Sequence, residues 1–282
     1  MESIGNAIGN VLGPNGLRIF TNQQLGFTSL LFFIFYFAAL LYMIDRGRKG
    51  LKIPKIRRIA GLDAIDEAVG RATEMGRPVS FSPGISGFVA GTLAAFGIIG
   101  HVAKLVAKFD SRLIVCNRMA NVYPVTQSIV RQAYLEAGKP DAYRDEDVRF
   151  LTEDQFGYAA GVVGIIHREG VAAQMLIGNF YAESLIFAEA GNIAGAIQVS
   201  GTDAPAQIPF FIAACDYCMI GEEIYAASAY LTQDRVRIGT LVVQDWSKQI
   251  VVALIILGTL TASYAALVGA PSHFVRDILR LW

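Results

Sequence analysis

Two uninterrupted apolar runs stand near the ends of the chain, 25–44 and 250–268, with no charged residue in either. Each is about as long as the roughly 20 residues a helix needs to cross a bilayer. Between them the pattern changes to short β-runs alternating with amphipathic helical stretches. The hydrophobic and polar positions thus predict a domain tethered at both ends. The order is an extracytoplasmic segment 1–24, a span 25–44, a basic linker 45–62, an α/β domain 63–247, a span 250–268 and an outer tail 269–282.

Inside the domain, residues 63–75 carry Leu62, Ile65 and Val69 on one helical side and Asp66, Glu67 and Arg71 on the other, with Gly76 as the stop. A strand–turn–helix pattern then repeats. Its strands are 79–81, 112–116, 148–151, 172–177, 196–199 and 216–220. The turn 152–155 has capping-box spacing, and Pro205 is placed in the first turn of its helix. Strands rich in Val, Ile and Leu without polar alternation predict a mainly parallel sheet covered on both faces. Right-handed crossovers then give a Rossmann-like, doubly wound α/β fold. The stretch 81–99 is free of charge for long enough to pass for a third span. Its Gly and Ala content and its continuation through His101, Lys104 and Lys108 predict a buried helix instead.

Charge enters locally. Lys+Arg and Asp+Glu are equal at 24 each, so no net field steers the chain towards nucleic acid. Arg46, Arg48, Lys49, Lys52, Lys55, Arg57 and Arg58 crowd behind the first span. By the positive-inside rule they place the domain in the cytoplasm and both termini outside, at the cell membrane. The same bases can grip anionic lipid. The three cysteines, Cys116, Cys215 and Cys218, suit a reducing compartment and read as small apolar residues, because the three histidines are too scattered to complete a zinc site.

In open α/β sheets, ligands bind beyond the carboxyl ends of the strands. Those turns collect Ser82, Asn117, Arg118, Glu153, Asp154, Asn179, Glu183, Ser200, Thr202, Asp203, Glu222 and Glu223. The candidate ligand-binding residues among them are Asn117, Asn179, Glu183, Ser200, Thr202, Asp203, Glu222 and Glu223. Carboxylates on one edge can hold Mg²⁺ or share protons as acid and base. Ser200 and Thr202 can bind an anion at a helix N-terminus. Capping accounts for Thr152, Asp154, Thr202 and Asp203 equally well. There is no G-x-G-x-x-G after the first strand, no Walker A loop and no G-x-S-x-G elbow.

The stretches 65–78, 147–155, 195–209 and 214–230 together resemble a family of prokaryotic membrane-anchored proteins known only as a domain of unknown function. The likeness covers roughly residues 58–257. It implies one module with flanking spans and brings no activity, cofactor or catalytic residue. Helices 155–166 and 206–214 are apolar around most of their circumference, so the chain reads as a self-assembling, homo-oligomeric membrane scaffold with a candidate small-ligand site. A Mg²⁺-assisted hydrolase or transferase built on Asn179, Glu183, Thr202, Asp203, Glu222 and Glu223, and a membrane-tethered metabolite sensor, are the alternatives.

Overall fold

The computed structural model describes residues 27–50 and 60–268, including helix α1 (Phe27–Arg48) and a last helix that ends at Val268. Segment 1–24, the bases Lys52, Lys55, Arg57 and Arg58, and the tail 269–282 lie outside the described residues. The chain divides into two compact units, Ile56–Asp234 and the two terminal stretches taken together.

In the first unit, α2 (Ala60–Glu74) precedes six strand–helix repeats. These are β1 (Val79–Ser82) and α3 (Ala90–Lys108), then β2 (Leu113–Asn117) and α4 (Tyr123–Glu136). Next come β3 (Val148–Phe150) and α5 (Gln155–Glu169), then β4 (Ala173–Ile177) and α6 (Glu183–Ala194). The last two are β5 (Ile197–Thr202) with α7 (Ile208–Ala214), and β6 (Tyr217–Ile220) with α8 (Glu223–Thr232). All pairings are parallel, in the order β3-β2-β1-β4-β5-β6. This is the doubly wound order whose topological switch lies between β1 and β4.

Side-chain alternation along the strands builds two cores. Val79, Phe81, Val115, Met175, Val199 and Met219 pack with α2, α3, α4 and α8. Ile114, Cys116 and Leu176 pack with Tyr158 of α5, Phe187 of α6 and Phe211 of α7. The second face also carries Ser80, Ser82, Gln174, Gln198 and Ser200, all buried. β1, β4 and β5 therefore alternate, against the expectation from sequence, whereas β2 is the expected apolar run Leu113-Ile114-Val115-Cys116. Some of these polar atoms are bonded and some are not: Gln198 Nε2 donates to the Ala188 carbonyl at 2.8 Å and Ser200 Oγ to that of Tyr217 at 3.2 Å, whereas Gln174 Oε1 and Gln198 Oε1 are buried without a partner.

The stretch 81–99 is not one helix. It is the end of β1, a loop and the first half of α3, whose Ala95, Ile98, Ile99 and Val102 are fully buried. Length and hydropathy alone would let α3 cross a membrane, yet 56% of its most apolar window is buried inside the domain. Pro205 precedes α7, and Pro209 occupies its first turn instead. Asp154 caps α5 as its spacing suggested, accepting from the Gly157 N–H at 2.6 Å, and Gly170 closes that helix in the left-handed region.

In the second unit, α1 lies beside α9 (Arg235–Val268), one unbroken helix of 34 residues that starts well before the apolar run at 250–268. Gly47 and Gly239 let the two backbones touch: a Cβ at Gly239 would meet the Met43 carbonyl oxygen at 3.0 Å, and one at Gly47 the Arg235 carbonyl at 3.0 Å. Met43, Val242 and Val243 form a small core there. α1 has 22 residues with a low polar content, and α9 is long and apolar enough to cross a bilayer.

Candidate functional site

At the switch point the β1 and β4 loops lock together. Gly84 has φ +88° and Gly178 φ +134°, and the Ile85 N–H donates to the Asn179 carbonyl at 2.9 Å. A Cβ on Gly84 would lie 2.7 Å from that same carbonyl oxygen, and one on Gly178 would lie 2.5 Å from the Pro83 oxygen. Ile85, fully buried, fills the space beneath with Phe180, and Arg118 Nη1 holds the Ile85 carbonyl at 2.9 Å. The crevice where a dinucleotide lies in folds of this order is therefore closed by the chain itself.

The N-terminus of α3 is the nearby electropositive end. It has Val89 as N-cap with no side-chain cap and no acid in its first turn. Gly91, in that turn, faces Asn179 and Asp203: a Cβ there would sit 3.2 Å from Asp203 Oδ1. Asn179 Nδ2 donates to Asp203 Oδ1 at 2.8 Å, and the Tyr225 hydroxyl donates to Asp203 Oδ2. Burial, helped by the Asp203 carboxylate, pushes the Tyr225 phenol well above its ordinary range and keeps it a donor. Asp203 thus brings a negative charge beside the first turn of α3, where the helix dipole favours it and where it opposes the approach of a second anion. Replacing Asp203 with Asn removes the charge and keeps the shape. The expected loss is about 1 kcal/mol of stability, the scale of weakened charge-assisted hydrogen bonds together with a helix-dipole contact, read by denaturant unfolding of the full chain.

The other sequence candidates disperse into local duties. Glu183 is buried, accepting from the Tyr181 N–H at 2.7 Å and from Gln155 Nε2 at 2.5 Å. Glu223 accepts from the Ile220 N–H at 2.9 Å, and Thr202 Oγ1 from the Ala204 N–H at 3.2 Å. Asn117 Oδ1 accepts from the Thr126 hydroxyl at 2.9 Å. Ser200 bonds to β6, and Glu222 sits exposed at the start of α8. Ser82 donates to Tyr158, whose hydroxyl in turn donates to the Cys116 carbonyl at 2.9 Å. Asn179 and Asp203 are candidates that bond to each other, and their partner Tyr225 carries no sequence signal beyond its place on an amphipathic helix. Thr92 Oγ1 and Asn179 Oδ1 are buried without a partner.

Among the described residues, no group of three or more His, Cys, Asp or Glu is placed to hold a metal. Burial pushes the Cys116 and Cys215 thiols up to about 12, and Cys218 rises for the same reason. All three are protonated and unreactive at neutral pH.

A Rossmann-ordered α/β domain with its switch point closed, joined to a pair of long apolar helices, defines the class. The chain belongs to the family described as a domain of unknown function (DUF6754), whose model matches residues 17–272. No curated protein and no solved structure matches it.

Proposed function

We propose that this chain is a membrane-anchored organising protein that self-associates through its α/β domain. The membrane placement follows the apolar runs of α1 and α9. The basic cluster at Arg46, Arg48 and Lys49, continued in sequence to Arg58, puts the domain in the cytoplasm and the termini outside. One observation carries the assembly reading. α5, α6 and α7, neighbours on one side of the sheet, expose Phe156 (73%), Ile193 (70%), Ile212 (55%), Phe210, Leu185 and Ile186. Apolar residues collected in this way mark an interaction surface. α6 and α7 contain no Lys or Arg, which argues against anionic lipid as the partner. Two anchors hold every copy in one orientation at high effective concentration, so a second copy is the partner always at hand.

Light scattering on the full chain in detergent, corrected for bound detergent, is expected to give a multi-chain mass. Ile186→Glu is expected to lower that mass without lowering the melting temperature. A monomeric wild-type protein would sink the reading.

A second reading, a small-molecule sensor at the strand ends, is favoured by the orphaned Asn179 Oδ1 beside Asp203. Two acceptors there call for a cationic or N–H-donating ligand. Stabilisation of the full chain by Mg²⁺ or by a simple amine in a thermal-shift screen would support it.

A further inference from the structure

The two apolar runs of the membrane pair are out of step. Met43 touches Gly239, and seven residues further along each helix Tyr36 and Trp246 line a common groove. Phe32 lies at the level of Ile250 and Ala253 in the same groove. The middle of the α1 run, near Phe35, is thus level with about residue 247, whereas the middle of the α9 run lies near residue 259. At 1.5 Å per residue the offset is roughly 20 Å, in a hydrocarbon slab only ~30 Å thick.

No position of the bilayer suits both helices alone. Centred on α1, the slab encloses Gln244, Asp245, Lys248 and Gln249 of α9. Centred on α9, it leaves Phe35, Phe37, Leu41 and Tyr42 of α1 in water, each more than half exposed. Either way the uncovered surface is the same zone, the middle of α1 together with residues 244–249.

We propose that this zone is the contact between two copies of the chain in the membrane, a proposal that rests on reading α1 and α9 as membrane helices. The charge pattern selects a second copy as occupant. Asp245 and Lys248 are one turn apart, their side chains 63% and 42% exposed and 3.7 Å from each other. Two chains inserted in the same sense are related by a two-fold axis along the membrane normal, which sets their α9 helices parallel. Asp245 of each then stands about 4.5 Å of helix rise from Lys248 of the other, within reach of the lysine stem. One surface supplies both signs, so it complements itself. Each chain pairs its own Asp245 and Lys248 loosely at 3.7 Å, and facing copies let the four charges bond in common and withdraw from lipid, where ionised groups are costly. Beside them, the groove between α1 and α9 has a volume of about 440 Å³ and is walled by Phe32, Phe35 and Trp246. Trp246 itself is 47% exposed and large enough to enter the same groove in a partner.

The test uses the full chain in phospholipid vesicles. Trp246→Cys, treated with an oxidant, is expected to give a disulfide-linked dimer that the unmodified chain does not give. Adding Asp245→Lys, which sets like charges against each other, is expected to lower the dimer yield at least fivefold, and Lys248→Asp alone is expected to do the same. The exchanged pair Asp245→Lys/Lys248→Asp is expected to restore it. Absence of the dimer, or a yield indifferent to single charge reversal, would overturn the proposal. Each variant is also extracted with alkaline carbonate. Release of the wild-type chain would instead refute the membrane reading, and a variant that is released is replaced by its neutral form, Asp245→Asn, for which a several-fold lower yield is expected and an unchanged yield counts against the contact.

Discussion

Gly178→Ala is expected to destabilise the domain by at least about 3 kcal/mol, the sum of a strained backbone and a forced displacement. At φ +134° an L-residue is strained whatever the space, and the new methyl would lie 2.5 Å from the Pro83 carbonyl oxygen. Backbone cannot move aside as a side-chain tip can. The damage falls where β1 and β4 exchange the chain between the two halves of the sheet, so both halves feel it. Gly138 and Gly195 also have positive φ, at 75° and 68°, with nothing within 4 Å of the Cβ position. Alanine there is expected to cost only about 1 kcal/mol. Denaturant unfolding of the full chain, with hydrogen exchange in β1 and β4, measures the contrast. Equal costs at the three glycines would show that the locked loops carry no special weight.

Asp147→Ala is expected to cost about 2–3 kcal/mol, the scale of charge-assisted hydrogen bonds lost at a buried carboxylate. That is less than a fully buried pair costs, because Arg112 is 33% exposed and keeps Glu169. Asp147 is 5% exposed and accepts from Arg112 Nε at 3.0 and 2.9 Å. Arg112 Nη1 also reaches Glu169 at 2.7 Å, and Arg149 Nη2 reaches the other Glu169 oxygen at 2.9 Å. These residues tie the amino ends of β2 and β3 to the end of α5. Without Asp147, Arg112 keeps its charge, which the two carboxylates hold on even more firmly than usual. Hydrogen bonds from Arg149 and Arg112 also hold the Glu169 carboxyl below its ordinary range, with burial opposing. A depressed carboxylate stabilises the fold above its unfolded value, about 4.3, and that contribution is lost as pH falls through the folded value. Glu169→Gln should therefore flatten the acid side of the stability curve. The check is the unfolding midpoint measured from pH 6 down to pH 3.

Periodicity made the fold legible. Six strand–helix units follow the chain because each strand is a short run with Val, Ile, Leu, Met or Phe facing a core and each turn carries Gly, Asn or Asp. What the pattern cannot carry is pairing in space. Asp203 and Tyr225 meet only after β5 and β6 come together, and Arg112 finds Asp147 through the β2–β3 register. The candidate edge reads as one polar set, acids beside Asn, Ser and Thr, because all its members stand at strand ends. Glu183 and Glu223 were drawn off by N–H groups a few residues away, a local choice that sequence spacing allows without requiring. The apolar circumference of the helix after β3 is legible as well, and its Phe156 is 73% exposed.

Asp203 over the first turn of α3 has one more consequence. A nucleotide held in that position comes and goes with its concentration, and a domain that relies on it gains stability only while the ligand is abundant. A covalently attached carboxylate never dissociates; its local concentration is fixed by the chain. With that charge built into the chain, the melting temperature of the full chain is expected to be unchanged by added inorganic phosphate or nucleotide, and a rise on addition would show that the turn still accepts an anion.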